Sequence, residues 1–196
     1  MGFESLHPRQ INMRMKKALL YSGGVESTLI LYKLSQENLN LYLVNRYNSP
    51  INKALHLYNV IKQDLNINPT LTILDLSHVE GHEQLRQARK EIMQENDLLY
   101  IGACRYPDNE KSMSLLMPEY RFDFDRLRND PEIEAPLLDM DKSQTIQEYY
   151  NLNIQKYLPL TKSCGDSKEE PCKKCFNCTE RAWAYNQLGI EVDYGS

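Results

Sequence analysis

Four of the five cysteines, Cys164, Cys172, Cys175 and Cys178, are spaced Cys-x7-Cys-x2-Cys-x2-Cys. Two-residue gaps let successive sulfurs wrap one ion, and the longer gap lets a loop bring in the fourth thiolate. Four thiolates without a histidine close a tetrahedral shell and leave no position for water. The chemistry expected of them is therefore structural, and Zn²⁺ is the ion it suits. An iron–sulfur cluster takes the same four ligands, so spacing alone leaves that choice open. Lys162, Lys168, Lys173, Lys174 and Arg181 stand close in sequence and are available to offset the charge of a metal–thiolate centre. Cys104 stands apart, as a small buried hydrophobe or as a nucleophile with no histidine near it in sequence.

The second constellation is Tyr21-Ser22-Gly23-Gly24-Val25-Glu26-Ser27-Thr28. The apolar run Lys16–Tyr21 ends in Ser-Gly-Gly, and a helical pattern opens at Ser27-Thr28. Glycines let the backbone turn sharply and approach an anion closely. The free N–H groups of a first helical turn and the helix dipole then attract that anion. Ser22, Ser27 and Thr28 add hydroxyl donors. The plainer alternative is a tight strand-to-helix turn with Ser27 as a cap. No Gly-x-x-x-x-Gly-Lys-Ser/Thr occurs, so the loop is not that of an ordinary P-loop NTPase.

These residues need elements to hold them. Apolar runs at Lys16–Tyr21, Leu41–Asn45, Leu71–Leu76 and Leu98–Gly102 predict four strands, and Glu134–Leu138 predicts a short fifth. Between them, helical spacing predicts helices from Ser27-Thr28 to about Glu37, with Asn38 and Asn40 as breakers, and from Pro50 with Ala54, Leu57, Tyr58 and Ile61 on one face. A further helix is expected over Glu80–Gln94, with a stripe of Leu85, Ala88 and Ile92. Ala103–Met117 reads as loop with a helical turn. Lys142–Asn151 reads as a helix capped by Asp141, and a last helix is expected near Glu180–Leu188. Strand and helix alternate from residue 16 to residue 102. The fold class is thus α/β, a doubly wound and mainly parallel sheet with a small C-terminal four-cysteine zinc lobe. The expected division is a lead-in over 1–15, a nucleotide-binding domain over 16–151, and a zinc-binding lobe with a C-terminal helix over 152–196. Metal removal is expected to unfold that lobe while the glycine loop can still bind its ligand.

A chain of 196 residues with 41% hydrophobic residues fills the core of one compact domain. Its formal net charge of −4 repels phosphate backbones, which makes nucleic acid an unlikely partner and a small molecule the expected substrate. No apolar run spans a membrane and no apolar signal-peptide core opens the chain. Clustered cysteines without an export signal fit metal ligands in a cytoplasmic protein.

Leu20–Thr28 resembles the Ser-Gly-Gly-x-Asp-Ser signature of the PP-loop ATP pyrophosphatases, with Glu26 where that superfamily has Asp. The resemblance implies an adenine nucleotide α-hydrolase-like fold, ATP bound by residues 21–28, and cleavage between its α and β phosphates. With the cysteine cluster added, the chain resembles the 7-cyano-7-deazaguanine synthase family of the queuosine pathway. Three further stretches carry that likeness: Tyr100-Ile101-Gly102-Ala103-Cys104 with Tyr106-Pro107-Asp108, Ala135–Leu138 with Lys142, and Leu160–Cys164. It implies an ATP-dependent C–N ligase that adenylates 7-carboxy-7-deazaguanine and uses ammonia to form the nitrile. It also implies Mg²⁺ and Zn²⁺ as ions, Glu26 facing a magnesium–pyrophosphate group, Lys142 facing phosphate, and a homodimer. Read by itself, Lys142 is as well explained as a solvated residue of a first helical turn. Two stretches depart from the family: Arg46-Tyr47-Asn48-Ser49-Pro50 and Val79–Glu83, where His82 is a surface residue or a polar contact. Two other readings stand beside this one. The first is a PP-loop enzyme adenylating a tRNA base, and the second is a degenerate nucleotide-binding module marked by Glu26.

Overall fold

A computed structural model describes residues 15–45, 51–79, 83–107, 124–164 and 170–195. The loop 46–50, the stretch 80–82, the segment 108–117 and Lys168, all named above, lie outside the described residues. So do residues 1–14 of the lead-in.

Five strands form one sheet in the order β3-β2-β1-β4-β5: β1 (Lys17–Leu20), β2 (Leu39–Asn45), β3 (Thr70–Asp75), β4 (Leu98–Ile101) and β5 (Ile133–Glu134). Every neighbouring pair is parallel, with Leu19 level with Leu41 on one side and Tyr100 on the other. The helices are α1 (Val25–Lys33), α2 (Ile51–Leu65), α3 (Glu83–Ile92), α4 (Phe124–Asn129), α5 (Lys142–Asn151) and α6 (Phe176–Gln187). A 3₁₀ segment, Gln155–Leu160, follows α5.

Because side chains alternate along a strand, the sheet buries two faces. Leu19, Tyr21, Leu41, Leu43 and Tyr100 face a large core with Leu29 of α1, Leu57 and Ile61 of α2, and Ile146 and Tyr149 of α5. Ala18, Tyr42 and Leu99 face the other side, where Ala88 and Ile92 of α3 cover them. The chain steps outward from β1 to β3 and then returns to lay β4 against β1. Helices cover both faces, and the direction of winding reverses between β1 and β4. In open parallel sheets, ligands gather outside the carboxyl ends of the strands at such a reversal. Beyond residue 152, Ile154, Tyr157, Leu158, Ala184 and Tyr185 enter the same large core.

Several elements depart from the sequence expectation. Helix α1 opens at Val25, not at Ser27, and its N-cap is Gly24 without a side-chain cap. Asn40 is no breaker; it lies inside β2 and bonds Asn96 at 2.9 Å. Of the expected stripe on α3, Ala88 and Ile92 are buried while Leu85 stays exposed. The fifth strand is Ile133–Glu134 only, since residues 136–139 turn away and Pro136 has no N–H to give a ladder. Helix α6 begins four residues before Glu180, with Cys175 as its N-cap. The Asp141 cap is as expected, a full capping box with Gln144. Among the described residues, no helix is long and apolar enough to cross a membrane.

Candidate functional site at the carboxyl ends of β1 and β4

The loop after β1 is shaped by two close approaches. Gly23 has φ +71°, and a Cβ there would stand 2.7 Å from the Ala54 Cβ of α2. Gly102, just after β4, would place a Cβ 2.9 Å from the Ser27 amide nitrogen and 3.0 Å from the Glu26 Cβ. Bare backbone at both positions lets α1 begin against the strand ends. The Ser27 hydroxyl does not cap α1. It lies 3.2 Å from the Ser22 amide, which donates to it, and 3.0 Å from the Ser22 Oγ. The start of α1 therefore has no side-chain cap, and the Ser22 side chain before it is exposed, an arrangement open to an anion. Tyr21, Val25 and Thr28 turn their side chains into the core and lend only backbone to the loop. Gly23→Ala combines left-handed strain with overpacking against Ala54. It is expected to cost about 2–4 kcal/mol, readable in a denaturant melt. An unchanged midpoint would show that the loop can relax around a methyl group.

Beside this loop the structure gathers four groups from distant parts of the chain. The Lys142 ammonium, in the first turn of α5, pairs with the Glu26 Oε1. It also stands 3.2 Å from the Glu180 Oε2 of α6. The Cys104 thiol donates to Glu26 Oε1 at 3.4 Å. Lys142 is 7% exposed and Glu180 3%, so the solvated reading of Lys142 is excluded. Burial pushes the Glu26 carboxyl up, but the adjoining Lys142 charge outweighs it and holds the carboxyl below its ordinary value. Burial alone would lower Lys142, yet Glu180 and Glu26 raise it well above the ordinary lysine value. Burial raises Glu180, against the pull of Lys142. Cys104 is raised well above an ordinary thiol, by burial first, which keeps it protonated. A protonated thiol is a poor nucleophile, so Cys104 is a buried donor to Glu26. The sign follows for stability. Glu26 contributes above the ordinary glutamate value, and that contribution is lost as pH falls through its depressed folded value.

The cysteine cluster is the second part. The sulfurs of Cys164, Cys172, Cys175 and Cys178 lie within 4.8 Å of one another. Ligands about 2.3 Å from one tetrahedral ion stand under 4 Å apart, so a small inward shift satisfies the geometry. Backbone amides already serve the sulfurs: Cys172 donates to the Cys164 Sγ at 3.4 Å and Cys175 to the Cys172 Sγ at 3.3 Å. None of the four is bridged in a disulfide, so the set can hold a metal ion. Lys173, inside the Cys172–Cys175 turn, has φ +59°. Lys173→Gly relieves that conformation, and metal-loaded stability is expected to rise by about 0.5–1 kcal/mol in a thermal melt. A fall instead would assign more weight to the Lys173 ammonium over the Tyr194 ring, 5.4 Å away.

A strap joins the two parts. Just before Cys164, the Lys162 amide donates to the Gly23 carbonyl at 2.9 Å. Arg181 of α6 has no exposure and gathers the strap. Its guanidinium donates to Thr161 Oγ1 at 2.8 Å, Ser163 Oγ at 2.9 Å and the Leu158 carbonyl at 2.8 Å. Arg181 thus serves the strap backbone, where its place in the sequence suggests only charge balance near the sulfurs. Tyr149 of α5 completes the support by donating to the Val25 carbonyl at 2.6 Å.

Of the expected site residues, Glu26, Lys142 and the glycine loop come together, and the four cysteines form their own cluster. Glu180 is not among the residues the sequence singles out. A buried charge pairs with an opposite charge by rule, but nothing in the sequence marks Glu180 as buried. The contact between Cys104 and Glu26 has a readable signal. Gly102-Ala103-Cys104 follows β4, and β4 lies beside β1.

Residues 96–189 match the model of the family described as queuosine biosynthesis protein QueC. That span holds Gly102, Cys104, Lys142, Glu180 and all four clustered cysteines. The chain is 22% identical over 220 aligned residues to the 7-cyano-7-deazaguanine synthase of Caldicellulosiruptor saccharolyticus, covering 90% of this chain and 93% of that one. It is 23% identical to the enzyme of the same name from Caldicellulosiruptor bescii, covering 90% and 95%. Among solved structures, the NMN synthetase of Francisella tularensis shares the fold with a TM-score of 0.54. Its identity is 14%, covering 91% of this chain and 79% of that one. In sequence, the chain resembles the 7-cyano-7-deazaguanine synthases and the queuosine biosynthesis protein QueC family.

Proposed function

We propose that this protein is an ATP-dependent C–N ligase that converts 7-carboxy-7-deazaguanine and ammonia to 7-cyano-7-deazaguanine through an adenylated carboxylate. One observation carries the reading: a buried Glu26–Lys142 ion pair stands beside an uncapped, glycine-lined helix start at the reversal point of the sheet. The loop 21–28 cradles the phosphates of ATP, with amides of α1 and the hydroxyls of Ser22 and Ser27 as donors. Glu26 presents its Oε2 on the loop side, near Gly24, where it would serve as a ligand for the Mg²⁺ carried by the nucleotide. Mg²⁺ offsets the charge of the phosphates when bound. Lys142 stabilises negative charge developing on the departing pyrophosphate as a fixed point charge. The cysteine cluster holds Zn²⁺ as a closed structural site, since four thiolates leave no open position.

The substrate carboxylate oxygen attacks the α-phosphorus and pyrophosphate leaves. Ammonia then adds to the acyl carbon, and AMP departs with that oxygen. A second ATP is attacked by the amide oxygen, pyrophosphate leaves, and AMP then departs with that oxygen as the amide nitrogen gives up its two protons, leaving the nitrile. Carboxylate labelled with ¹⁸O should therefore deliver its label to AMP. Unlabelled AMP alongside nitrile would exclude an adenylated carboxylate. The relatives' name is that of a synthase of 7-cyano-7-deazaguanine, which supports the choice of product. Glu26→Asp addresses the reading of a lapsed module. The longer side chain already reaches Lys142, so shortening it is expected to lower turnover. Activity appearing only in Glu26→Asp would favour the lapsed module.

A further inference from the structure

Lys142 has two carboxylate partners, and they are not equivalent. Glu26 sits in the first turn of α1, with its Oε1 on Lys142 and its Oε2 3.8 Å from where a Gly24 Cβ would stand. It therefore borders the loop. Glu180 sits on α6, is 3% exposed, and touches Lys142 through Oε2 at 3.2 Å. Its other oxygen, Oε1, is buried with no hydrogen-bond partner among the described residues. A buried carboxylate with an unserved oxygen is costly, and Lys142 is the cation at hand that compensates it. One carboxylate would have sufficed to neutralise one ammonium. The second is unexplained by packing alone.

We infer that Glu180 is the standing counter-ion of Lys142, a positioning residue that frees Glu26 to turn to the nucleotide. The inference rests on the proposed function, because it assigns Glu26 a partner borne by the nucleotide. With Glu180 in place, Glu26 can release Lys142 without leaving a buried ammonium unpaired. Without Glu180, engaging the nucleotide would strip Lys142 of its last carboxylate. Tight binding would then oppose the burial of Lys142 rather than use it. The placement of Glu180 on α6 adds a second consequence. The same helix starts at Cys175 and carries Cys178, so the cysteine cluster fixes the backbone that presents Glu180.

The test uses full-length, metal-loaded protein and a non-hydrolysable ATP analogue with Mg²⁺. Glu180→Gln keeps the shape and removes the charge. Its Kd for the Mg-analogue is expected to rise about tenfold, the usual scale for losing a partner that orients a charged group. In a Lys142→Met background the same change should have no further effect on Kd. Glu180→Asp should give an intermediate Kd, while metal content measured by mass stays that of the wild type. An unchanged Kd in Glu180→Gln, with only a lowered melting temperature, would make Glu180 merely structural and overturn the inference. Stability supplies an arm independent of nucleotide. Glu180→Gln should destabilise the wild type, yet be neutral or stabilising with Lys142→Met, because it then removes an uncompensated buried charge. Additive losses in that cycle would also overturn the inference. A wild type that binds no Mg-nucleotide would refute the proposed function instead, and the stability cycle would still decide whether Glu180 serves Lys142.

Discussion

Lys142→Met is expected to lower ATP turnover at least about a hundredfold, the scale seen when one fixed donor to developing charge is removed. The same change leaves the Glu26 and Glu180 carboxylates without their shared cation in a buried site. Breaking a buried pair costs about 3–5 kcal/mol, because the penalty of the stranded charge remains. The two effects are separable. Adding Glu26→Gln and Glu180→Gln removes the stranded charges, so the triple variant should recover most of the stability and none of the turnover. Denaturant melts and a pyrophosphate assay on the same samples check both halves. A Lys142→Met protein that keeps full turnover would remove Lys142 from the chemistry, whatever its stability.

Stripping the metal is expected to have the other large effect. The cysteine cluster fixes the start of α6, which carries Arg181 and, through it, the strap that donates from Lys162 to the Gly23 carbonyl. Ala184 and Tyr185 of that helix belong to the main core. A chelated sample should therefore melt at least about 10 °C lower than the metal-loaded one, as loss of several kcal/mol implies for a chain of this size. Mg-nucleotide affinity should fall with it, since the strap supports the phosphate loop. Metal removal is thus expected to reach further than the independent unfolding of a lobe that the sequence alone suggests. Equal melting curves with and without chelator would show that the four thiols hold no stabilising ion.

What the sequence could and could not convey follows from the range of the interactions. Strands β1, β2, β3 and β4 are short runs rich in apolar residues, so they are readable within a residue or two. The capping box at Asp141 and Gln144 is a contact three residues long, and it too is readable. Strand β5 is overdrawn from sequence because apolar Leu137 and Leu138 are buried in a turn rather than in the sheet. The start of α6 is placed late because Cys178 reads as a loop ligand, yet it lies within the first turn of a helix. Helix α4 and the 3₁₀ segment carry no periodic signal, and the 3₁₀ segment even contains Pro159. The glycine loop, Glu26, Lys142 and the cysteines stand out by type and spacing. Their arrangement is not legible, since Lys142 meets Glu26 across 116 positions of sequence and Glu180 reaches Lys142 from a different helix. Arg181 shows the same limit. Its neighbours in sequence are the sulfurs, but its hydrogen bonds run to Leu158, Thr161, Ser163 and Asp193.

The most direct measurement of the central claim is pyrophosphate release from Mg-ATP by the metal-loaded protein. It is read with and without 7-carboxy-7-deazaguanine plus ammonium, and the products are identified by mass. The account predicts release that depends on the deazaguanine, accompanied by AMP and the nitrile. Release that ignores the deazaguanine, or no release at all, would contradict it.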